Sequence, residues 1–486
     1  MNLKINRNSE TPVYLQIACS LKDMIESDEL VDGYKLPAER QLASELGVHR
    51  NTVIKAYGEL VAEGYVVASR QAPKGYFVQG TASSWNFSQR FFPLEKMISY
   101  NYNEREKLFQ DIFLDSAKEE YISLGGIVMN TNLIPIEILR RIVEKSMHVD
   151  ENGRMVSLYR DDIERLKKNI CRILTKENMY INPKNIQIVS ETNQALYHLM
   201  TLYLSRGDSV IVEEPILTDN ASVFRNKGIN IVCVPMEKDG MNLGILEKQI
   251  QRTKPKFIYT MPNFHNPTGI VMSLEKRKKL LEIAHQYGVP IIEEDSQRDF
   301  RYTDERIASL YSLDQCKSVV YIDSFTLTFP YGVKVGYVVG PYDLVDMLGR
   351  FITVTETHVS NIGAFVLSEF MEDDIYEEYL KSLAEYYKHK RDLLCQELRK
   401  IEDKGITFNE PKGGILLWCT LDETINERRL FMNAKKRKLL IIPGFLFYPH
   451  GYKGCGHVRL CFSDIPDEDI IEGVRILGEA LDESKI

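Results

Sequence analysis

The sequence predicts a small N-terminal domain of helices and a hairpin, followed by a large α/β domain with a smaller α+β subdomain. The first part carries three amphipathic helical segments and two short alternating segments within residues 1–80. From about Tyr121, short β-branched runs alternate with longer amphipathic segments, which is typical of a mainly parallel sheet covered by helices. After Glu356 the pattern becomes helical and then gives short strands at Gly414–Thr420 and Cys455–Phe462.

Length and composition exclude several classes of protein. The chain has 486 residues, of which 44% are hydrophobic and 27% charged, as in ordinary globular proteins, and its net charge is −8. Its eight cysteines show no metal-ligand spacing, so we expect reduced thiols and no metal site. The N-terminus lacks an apolar signal segment, and no run of about 18 apolar residues is present. We therefore expect a soluble, cytoplasmic protein with no membrane partner.

The N-terminal elements follow one another in a recognisable order. Thr11-Pro12 begins a helix that runs to about Glu26, and Pro37 opens a second helix that Gly47 ends. The predicted third helix starts near His49 and ends at Gly64. Two short strands, Tyr65–Ala68 and Tyr76–Gln79, follow with a polar, cationic loop between them. This is the order of a winged helix-turn-helix.

The residues of this segment add specificity to the pattern. The run L-P-A-E-R-Q-L-A-S-E-L-G-V-H-R-N-T-V-I-K-A-Y (Leu36–Tyr57), followed by E-G-Y and G-Y-F-V, resembles the GntR family of bacterial repressors. The resemblance implies a DNA-binding domain at 8–80 that recognises a double-stranded operator. It places a phosphate contact at Arg40, the start of the recognition helix at His49, Arg50, Asn51 and Thr52, and the wing, facing the minor groove, at Lys74 and Gly75.

Elementary chemistry agrees with those roles. Arginine can contact a guanine edge or a phosphate, and asparagine can read adenine, from the first turn of a helix in the major groove. The alternative, that these residues are only a solvated helix start and a surface loop, stays open for any one of them. After this domain we predict a linker at 81–120 and a second domain at 121–486.

Several blocks of the second domain resemble aminotransferases of the aspartate aminotransferase fold. They are P-N-F-H-N-P-T-G (Pro262–Gly269), P-K-G-G-I-L-L-W (Pro411–Trp418) and V-R-L-C-F-S (Val458–Ser463). The resemblance implies that Asn266 hydrogen-bonds the phenolic oxygen of pyridoxal phosphate (PLP) and that Arg459 clamps a substrate α-carboxylate. The bidentate fork of arginine suits that task. A GntR-type head before such a domain resembles the MocR subfamily of transcription regulators.

The loop that should carry the cofactor departs from the family pattern. Tyr321–Gly340 reads Y-I-D-S-F-T-L-T-F-P-Y-G-V-K-V-G-Y-V-V-G, and the family loop reads S-F-S-K-T-L-x-P-G-L-R-I-G-Y. Aligned without gaps, Ser324 and Thr326 keep hydroxyls, Leu327 falls on the Schiff-base lysine, and Lys334 falls on an arginine. Leucine has no amine to bind an aldehyde. An alternative is that Lys334 replaces the missing lysine.

Other departures cluster at the same cofactor. In Ile188–Leu196, whose counterpart cradles the phosphate with backbone amides, Glu191 replaces glycine beside the candidate ligand residues Thr192 and Asn193. Leu217 replaces a stacking aromatic residue and Ser296 a cofactor-contacting tyrosine. The carboxylate that pairs with the pyridinium nitrogen falls on Glu294, with Asp295 beside it as the alternative after a shift of one residue.

We therefore predict a DNA-binding transcription regulator whose second domain dimerises and senses a small ligand. The candidate effectors are an amino acid, an amine or a B6 vitamer. PLP would be held non-covalently at most, and a protein without PLP is the open alternative. We expect no transaminase activity. Two other functions stay open: an active PLP-dependent aminotransferase with an accessory DNA-binding domain, and a constitutive regulator with a purely structural dimerisation domain.

Overall fold

The protein is described in a computed structural model that forms two compact units. The structure describes residues 3, 5–7, 9, 11–27, 29–69, 74–79, 104–127, 133–147, 160–303, 305–330, 332–356, 359–372, 375–451 and 456–486. The first unit is Met1–Ser99 and the second is Tyr100–Ile486. No helix among the described residues is both long and apolar enough to cross a membrane.

The first unit has the winged helix-turn-helix order that the sequence predicts. Its elements are α1 (Val13–Glu26), α2 (Glu39–Leu46), α3 (Arg50–Ala62), β1 (Val66–Ser69) and β2 (Gly75–Val78). The two strands pair antiparallel, with Val66 opposite Val78. One apolar cluster joins all five elements, with Leu21, Leu42 and Val53 fully buried in it. This part of the predicted fold class is confirmed.

The turn between α2 and α3 follows from two residues. Gly47 ends α2 with φ +61°, a left-handed conformation that glycine adopts without strain. His49 then caps α3, because its Nδ1 accepts a hydrogen bond from the Asn51 amide at 3.2 Å. The Tyr57 hydroxyl donates to the Pro37 carbonyl at 2.9 Å and fixes the two helices against each other. The start of α3 is therefore held in one orientation.

The second unit is built on an eight-stranded sheet. Its strand order is β4-β11-β10-β9-β8-β5-β6-β7. The strands are β4 (Ile186–Val189), β5 (Ser209–Glu214), β6 (Asn230–Glu237), β7 (Gly240–Met241), β8 (Ile258–Thr260), β9 (Ile291–Glu294), β10 (Val319–Ser324) and β11 (Gly336–Val339). Strands β6, β5, β8, β9 and β10 run parallel, and β11 is antiparallel to both of its neighbours. The predicted mainly parallel sheet is confirmed.

Helices alternate with these strands and cover the sheet. They are α7 (Thr192–Tyr203), α8 (Thr218–Asn226), α9 (Leu243–Thr253), α10 (Leu274–Tyr287), α11 (Leu310–Leu313) and α12 (Tyr342–Glu356). Helix α10 shows how local sequence sets such bounds. Ser273 caps its first turn by accepting from the Lys276 amide at 3.3 Å, and Gly288 ends it with φ +66°.

The remaining segments form the smaller α+β subdomain and the layer that joins it to the sheet. The helices are α4 (Glu104–Asp115), α5 (Ile136–Ser146), α6 (Arg160–Thr175), α13 (Asn361–Phe370), α14 (Ile375–Arg399), α15 (Glu427–Lys436) and α16 (Asp467–Asp482). The strands are β3 (Ile122–Ser123), β12 (Ile406–Phe408), β13 (Leu416–Leu421), β14 (Leu439–Leu440), β15 (Ile442–Pro443) and β16 (His457–Cys461). Strands β12, β13, β16 and β15 make a four-stranded antiparallel sheet.

Helix α4 lies within the segment that the sequence assigns to a linker. Its Phe109 and Ile112 are buried in the main core of the second unit. That unit therefore includes residues before the predicted boundary at 121, while residues 81–103 of the predicted linker lie outside the described residues. The apolar periodicity of this one helix was too weak to separate it from the linker in the sequence.

Candidate functional site

The start of α3 presents polar side chains to solvent. His49, Arg50 and Asn51 are exposed, and Thr52 is half-buried. Arg40 is exposed on α2, in the preceding helix of the motif. Arg50 lies 3.8 Å from Glu39 in a weak, exposed ion pair that leaves its guanidinium accessible. The five residues of these helices that the sequence assigns to DNA contact thus lie on α2 and at the start of α3.

The second strand of the wing begins at Gly75, whose backbone has a positive φ. Gly75 has φ +151°, and a Cβ atom there would lie 2.8 Å from Cε of Lys35. A residue with a side chain would therefore be strained and would also displace Lys35. Lys74, just before it, is exposed. Residues 70–73 of the wing loop lie outside the described residues.

The ligand-site candidates of the second unit collect at one edge of the large sheet. Strand β4 is antiparallel to β11, which is antiparallel to β10, so β4 runs in the same direction as the parallel strands. Glu191, Leu217, Asn266 and Ser324 lie at or shortly after the carboxyl ends of β4, β5, β8 and β10, and Glu294 ends β9. Ligands of α/β proteins bind at this edge.

Two hydrogen bonds fasten the loops that follow β8 and β9. Nδ2 of Asn263 donates to Oδ1 of Asp295 at 2.8 Å, and Nε2 of Gln297 donates to the Phe264 carbonyl at 2.8 Å. The other oxygen of Asp295 accepts from the Tyr321 hydroxyl at 2.9 Å. Both oxygens of Asp295 are therefore engaged inside the protein, while Asn266 is held close to the end of β9.

Arg459, on β16, meets this edge through Asn266. Its Nη1 donates to Oδ1 of Asn266 at 3.3 Å, and its Nη2 donates to the Gly125 carbonyl at 2.9 Å. The side chain is 1% exposed, and its Nε has no hydrogen-bond partner among the described residues. The rings of Phe109 and Phe447 lie 5.9 and 5.2 Å from its guanidinium carbon.

Electrostatics show how unusual the surroundings of this arginine are. Burial lowers the pKa of Arg459 to about 10, because desolvation of the guanidinium outweighs the opposing effects of Cys461 and Asp219. Its hydrogen-bond acceptors are the Asn266 side chain and the Gly125 carbonyl, and no carboxylate among the described residues forms a salt bridge with it. Buried charges in folded proteins are normally paired. Arg459 is therefore a buried charge without a salt-bridge partner among the described residues.

The Glu191 side chain binds a backbone amide at the start of α7. In the family pattern, the amides of this helix start bind the cofactor phosphate. The Oε2 atom of Glu191 accepts from the Thr192 amide at 3.0 Å, so the side chain caps α7. The neighbouring Ser190 amide donates to Oε1 of Gln194 at 2.6 Å. Two of the amides at this helix start are thus satisfied by the protein itself. Of the adjacent candidates, Thr192 is buried and Asn193 is exposed.

Glu294 belongs to a buried polar cluster. Its Oε2 accepts from the Tyr259 hydroxyl, whose oxygen accepts from Nδ2 of Asn220, and its Oε1 accepts from the Ser296 hydroxyl at 3.1 Å. Burial raises the pKa of Glu294, and the negative charge of Glu191 adds to the shift. Thr192 also hydrogen-bonds this carboxyl group. Glu294 and Asp295 therefore face different partners, and Glu294 is the one beside the helix start.

The loop after β10 buries two of its candidate ligand residues and exposes the third. Ser324 and Thr326 are buried, and the Thr326 hydroxyl has no hydrogen-bond partner among the described residues. Leu327 is half-buried and packs against the main core. Lys334 is exposed with φ +43°. Its placement on the surface does not favour a substitute for the missing lysine.

Family models match both parts of the chain. A model of aminotransferase class I and II matches residues 125–477. The chain belongs to the aminotransferase class I and II family. A model of bacterial regulatory proteins of the gntR family matches residues 13–78, so this aminotransferase-like chain has the MocR-type architecture.

The chain is similar both to full-length transcriptional regulators and to solved aminotransferases. The uncharacterized HTH-type transcriptional regulator YisV of Bacillus subtilis is 26% identical over 481 residues, covering 98% of this chain and 97% of its own. The HTH-type transcriptional regulator NorG of Staphylococcus aureus is 24% identical over 444 residues, covering 90% and 97%. Pyrococcus horikoshii kynurenine aminotransferase, solved with PMP, superposes with a TM-score of 0.73 at 26% identity, covering 82% of this chain and 98% of its own.

The residues of this aminotransferase-like domain do not fit covalently bound PLP. Leu327 supplies no amine at the position of the Schiff-base lysine. The Glu191 carboxylate occupies a backbone amide of the phosphate cradle and would repel a phosphate dianion. The features that suit a ligand are Asn266, Arg459 and Glu294, and none of them requires a phosphorylated one.

Sequence reasoning missed three contributors to this site. Tyr259 and Asn220 orient Glu294, and Phe109 of α4 packs on Arg459. Only the position of Tyr259 within a short apolar strand could have suggested a buried side chain. A separate cluster, His285, Asp314 and Cys316, also escaped because His285 lies 29 residues before Asp314 in the sequence. Asp314 there accepts backbone amides of Cys316, Ser318 and Val319, which is a structural role.

Proposed function

We propose that this protein is a DNA-binding transcription regulator, acting in the cytoplasm, whose aminotransferase-like domain senses a small carboxylate-bearing ligand without covalent PLP. The observation that carries the sensor role is Arg459. Its guanidinium is buried and touches only neutral acceptors, so a ligand carboxylate would complete a pair that the protein leaves incomplete.

Loss of transaminase activity is part of the proposal. The Schiff-base lysine also moves the proton in transamination, and Leu327 can do neither task. The domain can therefore bind a ligand without catalysing transamination. The relatives that match the whole chain are named as regulators, which supports the same division.

The DNA-binding role is supported by the exposed start of α3. Arg50 and Asn51 stand in the first turn of the helix that a winged helix-turn-helix places in the major groove. We expect binding to weaken steeply with salt, because phosphate contacts release counterions. Fluorescence anisotropy with operator DNA at several salt concentrations measures this dependence.

A homodimer would present two such heads to two half-sites. Helices α7 and α12 of the second unit expose several large apolar side chains, and Met347 and Val354 are 57% and 86% exposed. These two are seven residues apart and share one face of α12. Isolated apolar residues are common on surfaces, and the shared face of these two supports the proposal that α12 takes part in the dimer contact. Light scattering of Met347→Glu against the wild type tests the dimer.

One experiment tests the sensor role directly. Purified full-length protein is scanned for thermal stability with and without amino acids, amines, PLP and pyridoxamine phosphate, and its visible absorbance is recorded before and after borohydride. We expect a carboxylate ligand to raise the melting temperature by mass action. We expect no aldimine absorbance. An absorbance that borohydride removes would refute the non-covalent part, and no stabilisation by any ligand would refute the sensor.

A further inference from the structure

The wing of the first unit has a third edge, formed by residues 33–36 just before α2. The Leu36 amide donates to the Tyr76 carbonyl of β2 at 2.8 Å. Lys35 lies opposite Phe77 of the same strand in an antiparallel bridge. The backbone at Lys35 is therefore fixed to the wing, although it comes long before the wing in the sequence.

The side chain of Lys35 lies on the outer face of this small sheet. Successive residues of a strand point to opposite faces. Leu36 is buried in the core of the first unit, whereas Lys35 is exposed. The Lys35 ammonium is 5.9 Å from the centroid of the Phe77 ring, which is the outer limit of a cation–π contact. The ring therefore holds this ammonium only weakly.

The aliphatic stem of Lys35 passes over Gly75, at the start of β2. A Cβ atom at Gly75 would lie 2.8 Å from Cε, 3.7 Å from Nζ and 3.8 Å from Cδ of Lys35. Carbon atoms in contact are normally about 3.5–4.0 Å apart, so a side chain at this position would push the lysine aside. The missing side chain of Gly75 therefore leaves room for the Lys35 ammonium beside the wing backbone.

Positive charge collects at this end of the wing without a matching carboxylate. Lys74 directly precedes Gly75 and is exposed. Neither Lys35 nor Lys74 belongs to one of the two salt bridges found among the described residues of the first unit. Double-stranded DNA carries one negative charge per about 1.7 Å of its axis, and lysines that neutralise its phosphates release counterions. A duplex backbone therefore fits the charge of this surface.

We propose that Lys35 is a phosphate contact of the wing and that Gly75 positions it. The ammonium would bind a phosphate oxygen beside the groove that the wing faces, so it would add affinity without reading the base sequence. This inference rests on the proposed DNA-binding function and adds to it a residue that precedes the recognised motif. Gly75 would serve twice, through its positive φ and through the space that it leaves for Lys35.

The experiment measures how the DNA affinity of the full-length protein depends on salt. The probe is a fluorescein-labelled duplex of mixed sequence, whose anisotropy is titrated at several potassium chloride concentrations. Lys35→Met keeps the length of the side chain and removes its charge. We expect it to reduce the slope of log affinity against log salt by about 0.9 for each bound head, and to weaken binding about tenfold at low salt. An unchanged slope would overturn the proposal.

Two further variants serve as controls for the charge and for its place. Lys35→Arg keeps the positive charge and should keep the wild-type slope. Lys22→Met also removes one lysine from the first unit, but Lys22 is on α1 and is paired with Glu63 at 2.9 Å. Its slope should equal that of the wild type. If Lys22→Met lowers the slope as much as Lys35→Met does, the effect reflects the net charge of the head and the proposal is wrong.

Two other measurements separate a phosphate contact from other roles of Lys35. A lysine that only packs on Phe77 would, when replaced, lower the melting temperature and leave the salt slope unchanged. A lysine that reads bases would change the ratio of the affinities for an A·T-rich and a G·C-rich duplex, whereas a phosphate contact leaves this ratio unchanged. Either result would refute the assignment.

A double-mutant cycle tests the positioning role of Gly75. Gly75→Ala should weaken DNA binding in the wild type through backbone strain and through displacement of Lys35. In the Lys35→Ala background only the strain remains, so the loss caused by Gly75→Ala should be at least about threefold smaller. Fully additive losses would show that Gly75 does not position Lys35.

Failure of this inference differs from failure of the DNA-binding function. If the wild-type protein binds none of these duplexes, or binds them with an affinity that salt does not lower, the DNA-binding function itself is wrong. If the wild type binds with a steep salt dependence that Lys35→Met leaves unchanged, only the role of Lys35 is wrong.

Discussion

Replacing Arg459 by methionine should leave the ligand-free protein as stable as the wild type or more stable. The buried guanidinium has two neutral acceptors and no carboxylate partner among the described residues. Methionine has a similar length, and the surrounding rings of Phe109 and Phe447 suit an apolar side chain. A buried charge without a salt-bridge partner destabilises the ligand-free protein, so its removal need not cost stability.

The size of the expected change in folding stability follows from the burial of the Arg459 charge. A pKa of about 10 in place of 12.5 means that the folded protein disfavours charged Arg459 by about 3 kcal/mol relative to water. The substitution removes this cost but also removes the hydrogen bonds to Asn266 and Gly125, worth about 1 kcal/mol each. We therefore expect a net change between zero and about 2 kcal/mol of stabilisation.

The assay is differential scanning calorimetry of the unfolding transition of the larger unit, with Arg277→Met as the control. Arg277 is equally buried, but it donates to three backbone carbonyls and to Oδ1 of Asn263 at 2.6 Å, close to the charges of Glu293 and Asp295. Its removal should cost about 3–5 kcal/mol. For a unit of this size 1 kcal/mol moves the melting temperature by about 1 °C.

The two outcomes are easily told apart. Arg459→Met should melt at or slightly above the wild-type temperature, bind operator DNA normally, and lose every carboxylate ligand. If it melts as far below the wild type as Arg277→Met does, Arg459 is a structural residue. Nothing would then support a ligand carboxylate at Arg459, whatever the DNA-binding result.

Three further outcomes follow from the structure. Arg50→Ala should weaken operator binding by about 1–3 kcal/mol in a gel-shift assay, and unchanged binding would remove Arg50 from the interface. Leu327→Lys alone should not restore transamination, because Glu191 still occupies the phosphate cradle; measurable turnover would contradict this. Burial raises the pKa of Glu293 from 4.5 to about 7, so its stabilising contribution is complete below pH 4.5 and is lost as the pH rises toward 7. Glu293→Gln should therefore flatten the decline of melting temperature over that interval, and an unchanged slope would refute the assignment.

Much of the fold could be predicted because local patterns decide it. Helix α10 shows this, since a serine cap and a terminal glycine mark both of its ends in the sequence. The buried strands at the centre of the sheet are short β-branched runs that alternate with helices, which few other folds produce. Helix α4 was missed because its burial comes from contacts with residues far along the chain, such as Phe447.

The sequence named candidate residues for the site, but it did not show how they connect. The motif gave Asn266 and Arg459, and the structure joins them by a hydrogen bond. The choice between Glu294 and Asp295 needed the third dimension, because adjacent residues at a strand end point to different partners. That Glu191 caps its own helix could not be read from a residue type that also occurs in exposed turns.

The position of helix α4 has a consequence for the ligand that we propose. It is the first described element after the DNA-binding domain, and its Phe109 forms part of the wall around Arg459. Its Arg105 also donates to the Tyr448 carbonyl at 2.7 Å, beside the same wall. Helix α4 is thus anchored among the residues that surround Arg459. A carboxylate bound to Arg459, as proposed above, would therefore lie against the first described helix of the second unit.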